Sequence, residues 1–130
     1  VALYSYAEFD SVDEKDRYRL MDMIDRNGNR DGAALRFVAE HLAKRPEKRK
    51  LLILISDGQP ADDGYYGTEA EADLRGIKKE YARQNIILFA AAIGDDKDAI
   101  QRIYQEGFLD ITRLDDLPKN LTILIKQYLR

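Results

Sequence analysis

The stretch LLILISDGQP, residues 51–60, gives the strongest indication of the fold class of this chain. Its five leading apolar residues run without a break into Ser56-Asp57-Gly58. A short, unalternating apolar run of this kind predicts a strand that is buried on both faces of a parallel sheet. Asp57 follows the carboxyl end of that strand, which is the edge where open α/β sheets bind ligands. We therefore expect its carboxylate to face a crevice that suits a hard cation or a phosphoryl group. The alternative is that Asp57 only bonds the backbone of the turn before Gly58.

Composition limits the classes of protein that the chain can represent. Its 130 residues predict one domain with a substantial core, spanning 1–130. Charged residues make up 35% and the net charge is −3, which argues against a general attraction to nucleic acid or to an anionic membrane. The absence of cysteine excludes disulfides, thiolate metal sites and cysteine nucleophiles. No apolar run approaches the ~18 residues of a membrane helix, and we expect no signal peptide. We expect a cytoplasmic protein, and the start at Val1 suggests a piece of a longer chain.

Strand-like and helix-like segments alternate along the sequence. The predicted strands cover 1–9, 51–56, 86–93 and 108–114. The predicted helices cover a segment capped by Ser11 or Asp13 with apolar Tyr18, Leu20, Met21 and Ile24, and then 33–44, 68–84, 96–105 and 116–128. This alternation predicts an α/β fold with a mainly parallel sheet and helices on both faces.

Two of the predicted helices carry more detailed expectations. Thr68 and Glu71 have the spacing of a capping box at the start of the helix 68–84. Its periodicity predicts a buried face made of Ala72, Leu74, Ile77 and Tyr81. The periodicity of the last helix predicts inward-facing Leu121, Leu124, Ile125 and Tyr128.

Three segments together resemble a known family. They are NGNRDGAAL (27–35), LLILISDGQPADDGYYG (51–67) and IILFAAAIGDD (86–96). They resemble the von Willebrand factor A (VWA) domain, in the form found in bacterial nitric oxide reductase activation proteins and cobaltochelatase subunits. The resemblance implies a Rossmann-like, three-layer fold. It also implies a protein that works with an AAA+ ATPase to insert a metal into a target metalloenzyme, or to remodel it.

The same resemblance implies a metal-ion-dependent adhesion site (MIDAS) built from three loops. In the family these loops carry Asp-x-Ser-x-Ser, a Thr and an Asp. Asp57 matches the third-loop Asp, while the Thr position falls on Asn29, with Asp31 two residues later. Asp-x-Ser-x-Ser is absent from the 130 residues, and the first predicted strand resembles the family's third. The chain is therefore expected to be the carboxyl-terminal portion of a larger domain, lacking the first two family strands.

This incomplete set of ligands has consequences for metal binding and assembly. Mg²⁺ needs oxygen ligands in near-octahedral geometry. We expect Mg²⁺ or Mn²⁺ in the complete domain and weak or absent binding in this chain. The missing strands would lie between strand 1–9 and strand 51–56, so the edge of strand 51–56 would be bare and could pair with another chain, including a second copy.

Residues around the expected metal site have two readings each. Asn29 and Asp31 could cap the following helix or join the site. Asp62 and Asp63 could be solvated loop acids or an acidic rim for a partner. Tyr65 and Tyr66 could form a contact surface, since tyrosine is enriched at binding hot spots, or could fold down as a lid over the core.

Three functional classes remain open. The first is a non-enzymatic module in which a cation joins the domain to an acidic side chain of a partner. The second is a receiver-type domain with Asp57 as phospho-acceptor, for which Glu8 and Asp10 would be the acidic pair. That reading lacks a hydroxyl residue after Ile93-Gly94 and has Arg113 where a lysine is needed. The third, a hydrolase with Asp57 as nucleophile, lacks identifiable partner residues.

Overall fold

The computed structural model describes residues 2–10, 13–24, 28–93, 97–111 and 113–128. The strands in this part of the chain are β1 (Lys50–Ser56), β2 (Ala61–Asp62), β3 (Tyr65–Tyr66), β4 (Ile86–Ala92) and β5 (Phe108–Asp110). Its α-helices are α1 (Asp16–Arg19), α2 (Asp31–Ala43), α3 (Gly67–Ala82), α4 (Lys97–Tyr104) and α5 (Leu117–Tyr128).

The main sheet contains β1, β4 and β5, in that order, and both pairings are parallel. Ser56 lies beside Ala92, which lies beside Asp110, so the carboxyl ends of the three strands meet at one edge. The predicted α/β fold with a mainly parallel sheet is confirmed. β5 ends at Asp110 rather than at residue 114, because its pairing with β4 covers only three residues of each strand.

Helices cover both faces of this sheet. On one face α2, α3 and α4 pack against β4 and enclose the core. Alternate residues of β4 point into that core, as the pleat of a strand requires; they are Ile86, Leu88, Ala90 and Ala92. Phe89 points to the other face, where its ring meets Tyr128 of α5 with centroids 5.0 Å apart.

The predicted capping box at the start of α3 is wrong. The helix begins at Gly67, so Tyr66 is the N-cap residue and makes no side-chain cap. Gly67 has a φ of +59°, which allows the chain to turn into the helix directly after β3. Thr68 therefore already lies inside the first turn, and Glu71 instead forms an ion pair with Arg102 of α4 at 3.0 Å.

The buried faces of two helices differ in part from their predicted periodicity. In α3, Leu74, Ile77 and Tyr81 are buried as expected, but Ala70 takes the place expected for Ala72, which is exposed. The earlier start of the helix does not change which of its sides faces the core. Ala70 lies four residues before Leu74 and therefore shares its buried face. In α5 only Leu124 is fully buried, and Ile125 is exposed.

The predicted strand over residues 1–9 is wrong. Residues 2–10 contain no strand, and Leu3 and Phe9 are exposed. A strand is stabilised by pairing with a neighbour, and β1 pairs with β4 but not with this segment. The rough apolar alternation of this segment therefore does not place it on the open edge of β1.

The predicted first long helix is reduced to the four-residue α1 and a following 3₁₀ turn over Leu20–Asp22. Its apolar residues are exposed, and Met21 reaches 80% exposure. A short helix is marginal in water unless an apolar face packs against the rest of the protein. No such packing is present in the described part of the segment, and its cap candidate Ser11 lies outside the described residues.

β1 lies at the edge of the sheet that the described residues form. Leu52 and Leu54 pack on the core, whereas Ile55 is 52% exposed. The bare edge expected for strand 51–56 is therefore present within the described part of the chain.

None of the described helices is long and apolar enough to cross a bilayer.

Candidate functional site

Asp57 lies at the carboxyl edge of the sheet, in a turn held by its neighbour. The Ser56 hydroxyl donates to the Gly58 carbonyl at 2.8 Å and accepts from the Gly58 N–H at 3.3 Å. The Ser56 carbonyl accepts from the N–H of Ile93 at 2.9 Å, which keeps β1 and β4 together at this point. The hydrogen bonds of the turn thus involve the Ser56 side chain, and the Asp57 side chain is exposed at its tip.

Asp31, the first residue of α2, brings a second carboxyl group to this edge. Its Oδ2 atom is buried and has no hydrogen-bond partner among the described residues. Burial raises the pKa of Asp31, and the negative charge of Asp57 raises it further. The effect of one charge on the other means that the two carboxyl groups lie within electrostatic range. Of the predicted site residues, Asp31 and Asp57 thus lie within reach of each other's charge.

Asn29 connects the start of α2 to the loop that follows Asp57. Its Oδ1 accepts a hydrogen bond from the N–H of Ala61 at 2.6 Å, and its own N–H donates to the Ala61 carbonyl at 3.2 Å. Asn29 and Ala61 are also partners in an isolated antiparallel bridge. Asn29 therefore fixes the hairpin of β2 and β3 beside α2, and one lone pair of its amide oxygen is already used.

The two loop acids have different surroundings. Asp62 forms an ion pair with Arg30, and this bond, with the N–H of Asp63, lowers the pKa of Asp62. Arg30 also donates to the backbone carbonyl of Asp63, whose side chain is exposed. Of the expected acidic rim, Asp62 is thus partly neutralised, while Asp63 offers its carboxylate to solvent.

The adjacent tyrosines of β3 point in opposite directions. The Tyr65 hydroxyl donates to Asp73 of α3 at 2.9 Å, and burial is the main cause of the raised pKa of Tyr65. Asp73 also receives two hydrogen bonds from Arg36 of α2, one of them at 3.0 Å. Tyr66 is 68% exposed. Tyr65 thus closes over the core side of the hairpin, and Tyr66 is available to a partner.

The connection between Arg36, Tyr65 and Asp73 was not predicted from the sequence. These residues come from α2, β3 and α3 and are separated by up to 37 positions, so no local spacing marks their contact. The available signal was a charged residue beside the apolar stripe of each helix, Arg36 next to Leu35 and Asp73 next to Leu74.

The donor set at this edge fits part of the coordination shell of a hard divalent cation. Mg²⁺ is usually held by one or two carboxylates and keeps several waters, and Asp31 and Asp57 supply two carboxylates. Among the described residues, no group of three or more His, Cys, Asp or Glu side chains is arranged to hold a metal ion. The Oδ2 atom of Asp31 is buried and has no partner among the described residues, and this observation favours the binding of a cation here.

Comparison with known proteins identifies the family. The model of the cobalamin biosynthesis protein CobT VWA domain matches residues 6–126. The chain belongs to the CobT-type VWA family. The resemblance stated from the sequence is thus confirmed for nearly the whole chain.

Curated relatives agree with this family. NorD of Brucella melitensis is 37% identical over 100 residues, which cover 75% of this chain and 16% of NorD. YojO of Bacillus subtilis is 30% identical over 115 residues, which cover 85% of this chain and 18% of that protein. An uncharacterised protein of Pseudomonas aeruginosa is 35% identical over 106 residues, with 78% and 17% coverage. The VWA chain therefore spans less than a fifth of the length of these relatives.

One solved structure shares the fold. It is proximal thread matrix protein 1 from the mussel byssus, whose MIDAS motif is occupied by zinc. The TM-score is 0.58 at 23% identity, and the alignment covers 86% of this chain and 29% of that one. This likeness supports the Rossmann-like VWA architecture.

Proposed function

We propose that this VWA domain is a non-enzymatic interaction module, in which a divalent cation joins the domain to an acidic side chain of a partner protein. The observation that carries the proposal is the buried Oδ2 of Asp31, which has no partner among the described residues and lies within reach of the charge of the exposed Asp57 at the carboxyl edge of the sheet. Burial and the charge of Asp57 both disfavour ionisation of the Asp31 carboxyl group, which creates a demand for positive charge. A cation satisfies that demand.

Mg²⁺ or Mn²⁺ is the proposed cofactor. Asp57 and Asp31 would hold it, and Asn29 would bring its neutral amide oxygen near them while it fixes the hairpin. The cation supplies an open coordination position that a partner carboxylate can fill. In this chain the protein ligands are few, so we expect binding in the millimolar range and a tighter site in the full-length protein.

The proposed contact surface surrounds the cation. The exposed Tyr66 ring and the Asp63 carboxylate lie on the hairpin that Asn29 and Arg30 fix to α2. Tyrosine contributes a large, rigid contact area, and residues at the rim of an interface tune specificity. Asp62 and Tyr65 would support this surface from below through their bonds to Arg30 and Asp73.

We further propose that the partners are an AAA+ ATPase and a target metalloenzyme that the two proteins load or activate. The support is the family: the matching model is named for cobalamin biosynthesis and relatives are named NorD. The proposed activity is therefore the insertion of a metal, or the activation of an enzyme of the nitric oxide reductase type, with the ATPase performing the hydrolysis.

The receiver alternative is weakened by the position of its acidic pair. Asp10 forms an ion pair with Arg45 at 2.7 Å, just beyond the carboxyl end of α2, whereas Asp57 interacts with Asp31 at the amino end. The 13 residues of α2 separate the two ends by about 20 Å. Glu8 accepts a hydrogen bond from Ser5 in the same amino-terminal segment. A cation held by Glu8 and Asp10 would therefore be far from Asp57.

The test uses the full-length protein and a purified AAA+ ATPase from the same genome. We expect them to form a complex in sedimentation velocity with Mg²⁺ present and to separate in EDTA. Asp57→Ala should abolish the Mg²⁺-dependent part, whereas Asp63→Asn, which changes an exposed acid of the same loop, should weaken the complex only modestly. Binding that is equal in EDTA, or unaffected by Asp57→Ala, would contradict the proposal.

A further inference from the structure

Tyr104, the last residue of α4, carries an unexplained buried polar atom. Its side chain has no exposed surface, and its hydroxyl has no hydrogen-bond partner within the described ranges. A buried hydroxyl without a partner loses its bonds to water and gains none in the protein. Phenylalanine would fill the same space without this cost. The hydroxyl therefore needs an explanation that the contacts of the described residues do not give.

Contacts at the two ends of α4 indicate the direction in which the Tyr104 side chain extends. Lys97, at the start of α4, forms an ion pair with Asp110 at 2.7 Å, so the amino end of the helix lies at the carboxyl edge of the sheet. Helical side chains tilt toward the amino end of their own helix. The Tyr104 carbonyl accepts a hydrogen bond from Lys78 at 2.5 Å, in the last turns of α3 and away from that edge. This tilt predicts that the Tyr104 ring extends from the Lys78 end of α4 toward the carboxyl edge of the sheet.

The charges that act on the hydroxyl agree with this direction. Burial is the main cause of the raised pKa of Tyr104, and the charges that raise it further belong to Asp31 and Tyr65. Asp31 carries the other buried side-chain atom without a partner among the described residues, its Oδ2. A hydroxyl can donate and a carboxylate oxygen can accept, so the two unpartnered atoms have complementary chemistry.

We propose that Tyr104 is a positioning residue of the cation site: its hydroxyl donates to Oδ2 of Asp31, directly or through one buried water, when Asp31 and Asp57 share a divalent cation. This inference rests on the proposed function of the Asp31–Asp57 pair. Groups that hydrogen-bond the ligands of a metal orient them and raise its affinity. The hydroxyl is then useful in the cation-bound domain and costly in the free one.

The experiment measures Mn²⁺ binding and thermal stability of the 130-residue chain and of Tyr104→Phe. Free Mn²⁺ is counted by electron paramagnetic resonance, which detects millimolar affinities. We expect Tyr104→Phe to bind Mn²⁺ about tenfold more weakly. Its Tm in EDTA should equal or exceed that of the parent, because the unpartnered hydroxyl is removed.

Tyr81→Phe is the matched control. Tyr81 is also a buried tyrosine, but its hydroxyl donates to the Arg36 carbonyl at 3.4 Å. This variant should lower the Tm slightly and leave Mn²⁺ affinity unchanged. A purely structural role for the Tyr104 hydroxyl would give the same result for Tyr104→Phe as for Tyr81→Phe.

The outcomes separate the two proposals. Mn²⁺ binding that is lost in Asp57→Ala but unchanged in Tyr104→Phe would overturn the role of Tyr104 and leave the cation site standing. A clear loss of Tm for Tyr104→Phe in EDTA would also overturn that role, because it would mean that the hydroxyl is bonded in the free domain. If the parent chain binds no better than Asp57→Ala, the cation site itself fails, and the role of Tyr104 with it.

Discussion

The buried carboxyl group of Asp31 destabilises the folded chain by an amount that depends on pH. Its carboxyl group is buried beside Asp57, and both effects raise its pKa above the ordinary value of 3.8. The amino end of α2 favours a negative charge, but the raised pKa means that burial and the neighbouring charge outweigh this benefit. In the pH window that opens at 3.8 and extends upward, the folded state binds more protons than the unfolded state. The contribution of Asp31 to stability therefore falls as pH rises through that window.

Asp31→Asn should remove this pH-dependent cost. We expect the variant to gain stability relative to the parent as pH rises from 3.8 to neutral, since the parent alone must ionise a buried carboxyl group. Urea denaturation at a series of pH values measures the difference. Asp73→Asn is the control of opposite sign, because Arg36 lowers the pKa of Asp73 and its contribution is lost as pH falls. A difference between Asp31→Asn and the parent that does not vary with pH would contradict the burial of the Asp31 charge.

The two adjacent tyrosines of β3 offer a second test at this scale. Tyr65→Phe removes the hydrogen bond to Asp73 and should lower the free energy of unfolding by about 1 kcal/mol. Tyr66→Phe changes an exposed ring and should have almost no effect. Chemical denaturation of both variants measures this difference. Equal effects would mean that Tyr65 does not close the hairpin onto α3.

At the scale of elements, the site depends on how closely the hairpin of β2 and β3 lies against α2. A Cβ atom added at Gly32, in the first turn of α2, would fall on the Tyr65 hydroxyl and 2.5 Å from Oδ2 of Asp73. The glycine therefore provides the room in which Tyr65 and Asp73 meet. The bonds between Asn29 and Ala61 hold the start of the same hairpin beside the amino end of α2.

Gly32→Ala should destabilise the domain although alanine is the better helix former. Relief of the clash requires Tyr65 or the hairpin to move, at a cost of about 1–3 kcal/mol. Gly76→Ala in α3 is the control, because no atom lies within 4 Å of its added Cβ. That variant should gain about 0.5–1 kcal/mol. Thermal denaturation of the pair measures both effects, and a stabilised Gly32→Ala would contradict the close packing.

The sequence predicted those elements whose signal is local. β1 and β4 are unbroken apolar runs with clear ends, and α2 begins within one turn of its predicted start. The segment 1–9 is also rich in apolar residues, but its described part does not join the main sheet, because composition does not report which segments become neighbours. The position of Asp57 at the carboxyl edge of the sheet could be predicted, because an apolar run marks the strand that ends just before it. In open α/β sheets, ligands bind at that edge. The hydrogen bonds that join Arg36, Asp73 and Tyr65 could not be predicted from the sequence, and neither could the burial of the Tyr104 hydroxyl. Both depend on how the helices pack.

At the scale of the whole molecule, β1 presents a bare and apolar edge within the described sheet. Its seven residues pair on one side with β4, and Ile55 is more than half exposed. Edges of this kind pair with other chains unless a charge or a proline blocks them. We therefore expect the 130-residue chain to rearrange or to associate with a second copy through this edge.

Sedimentation velocity over a range of concentrations tests the dimer form of this expectation. The parent chain should show a concentration-dependent dimer, and Ile55→Lys should shift it toward the monomer by adding a charge at the edge. Ile123→Lys on α5 is a control at another exposed isoleucine, 55% exposed, and should leave the dimer intact. A parent chain that stays monomeric at high concentration would contradict pairing through β1.

We propose that this domain carries part of a cation-dependent adhesion site, with Asp57 as the residue that contacts the ion. A calorimetric titration of the chain with Mg²⁺ and Mn²⁺, with Asp57→Ala beside it, measures whether Asp57 binds the cation. We expect one-to-one binding in the millimolar range that disappears in Asp57→Ala, because two carboxylates and water hold a hard cation only weakly. Equal titrations of the parent and Asp57→Ala would contradict the site, and micromolar binding would contradict its being only partial.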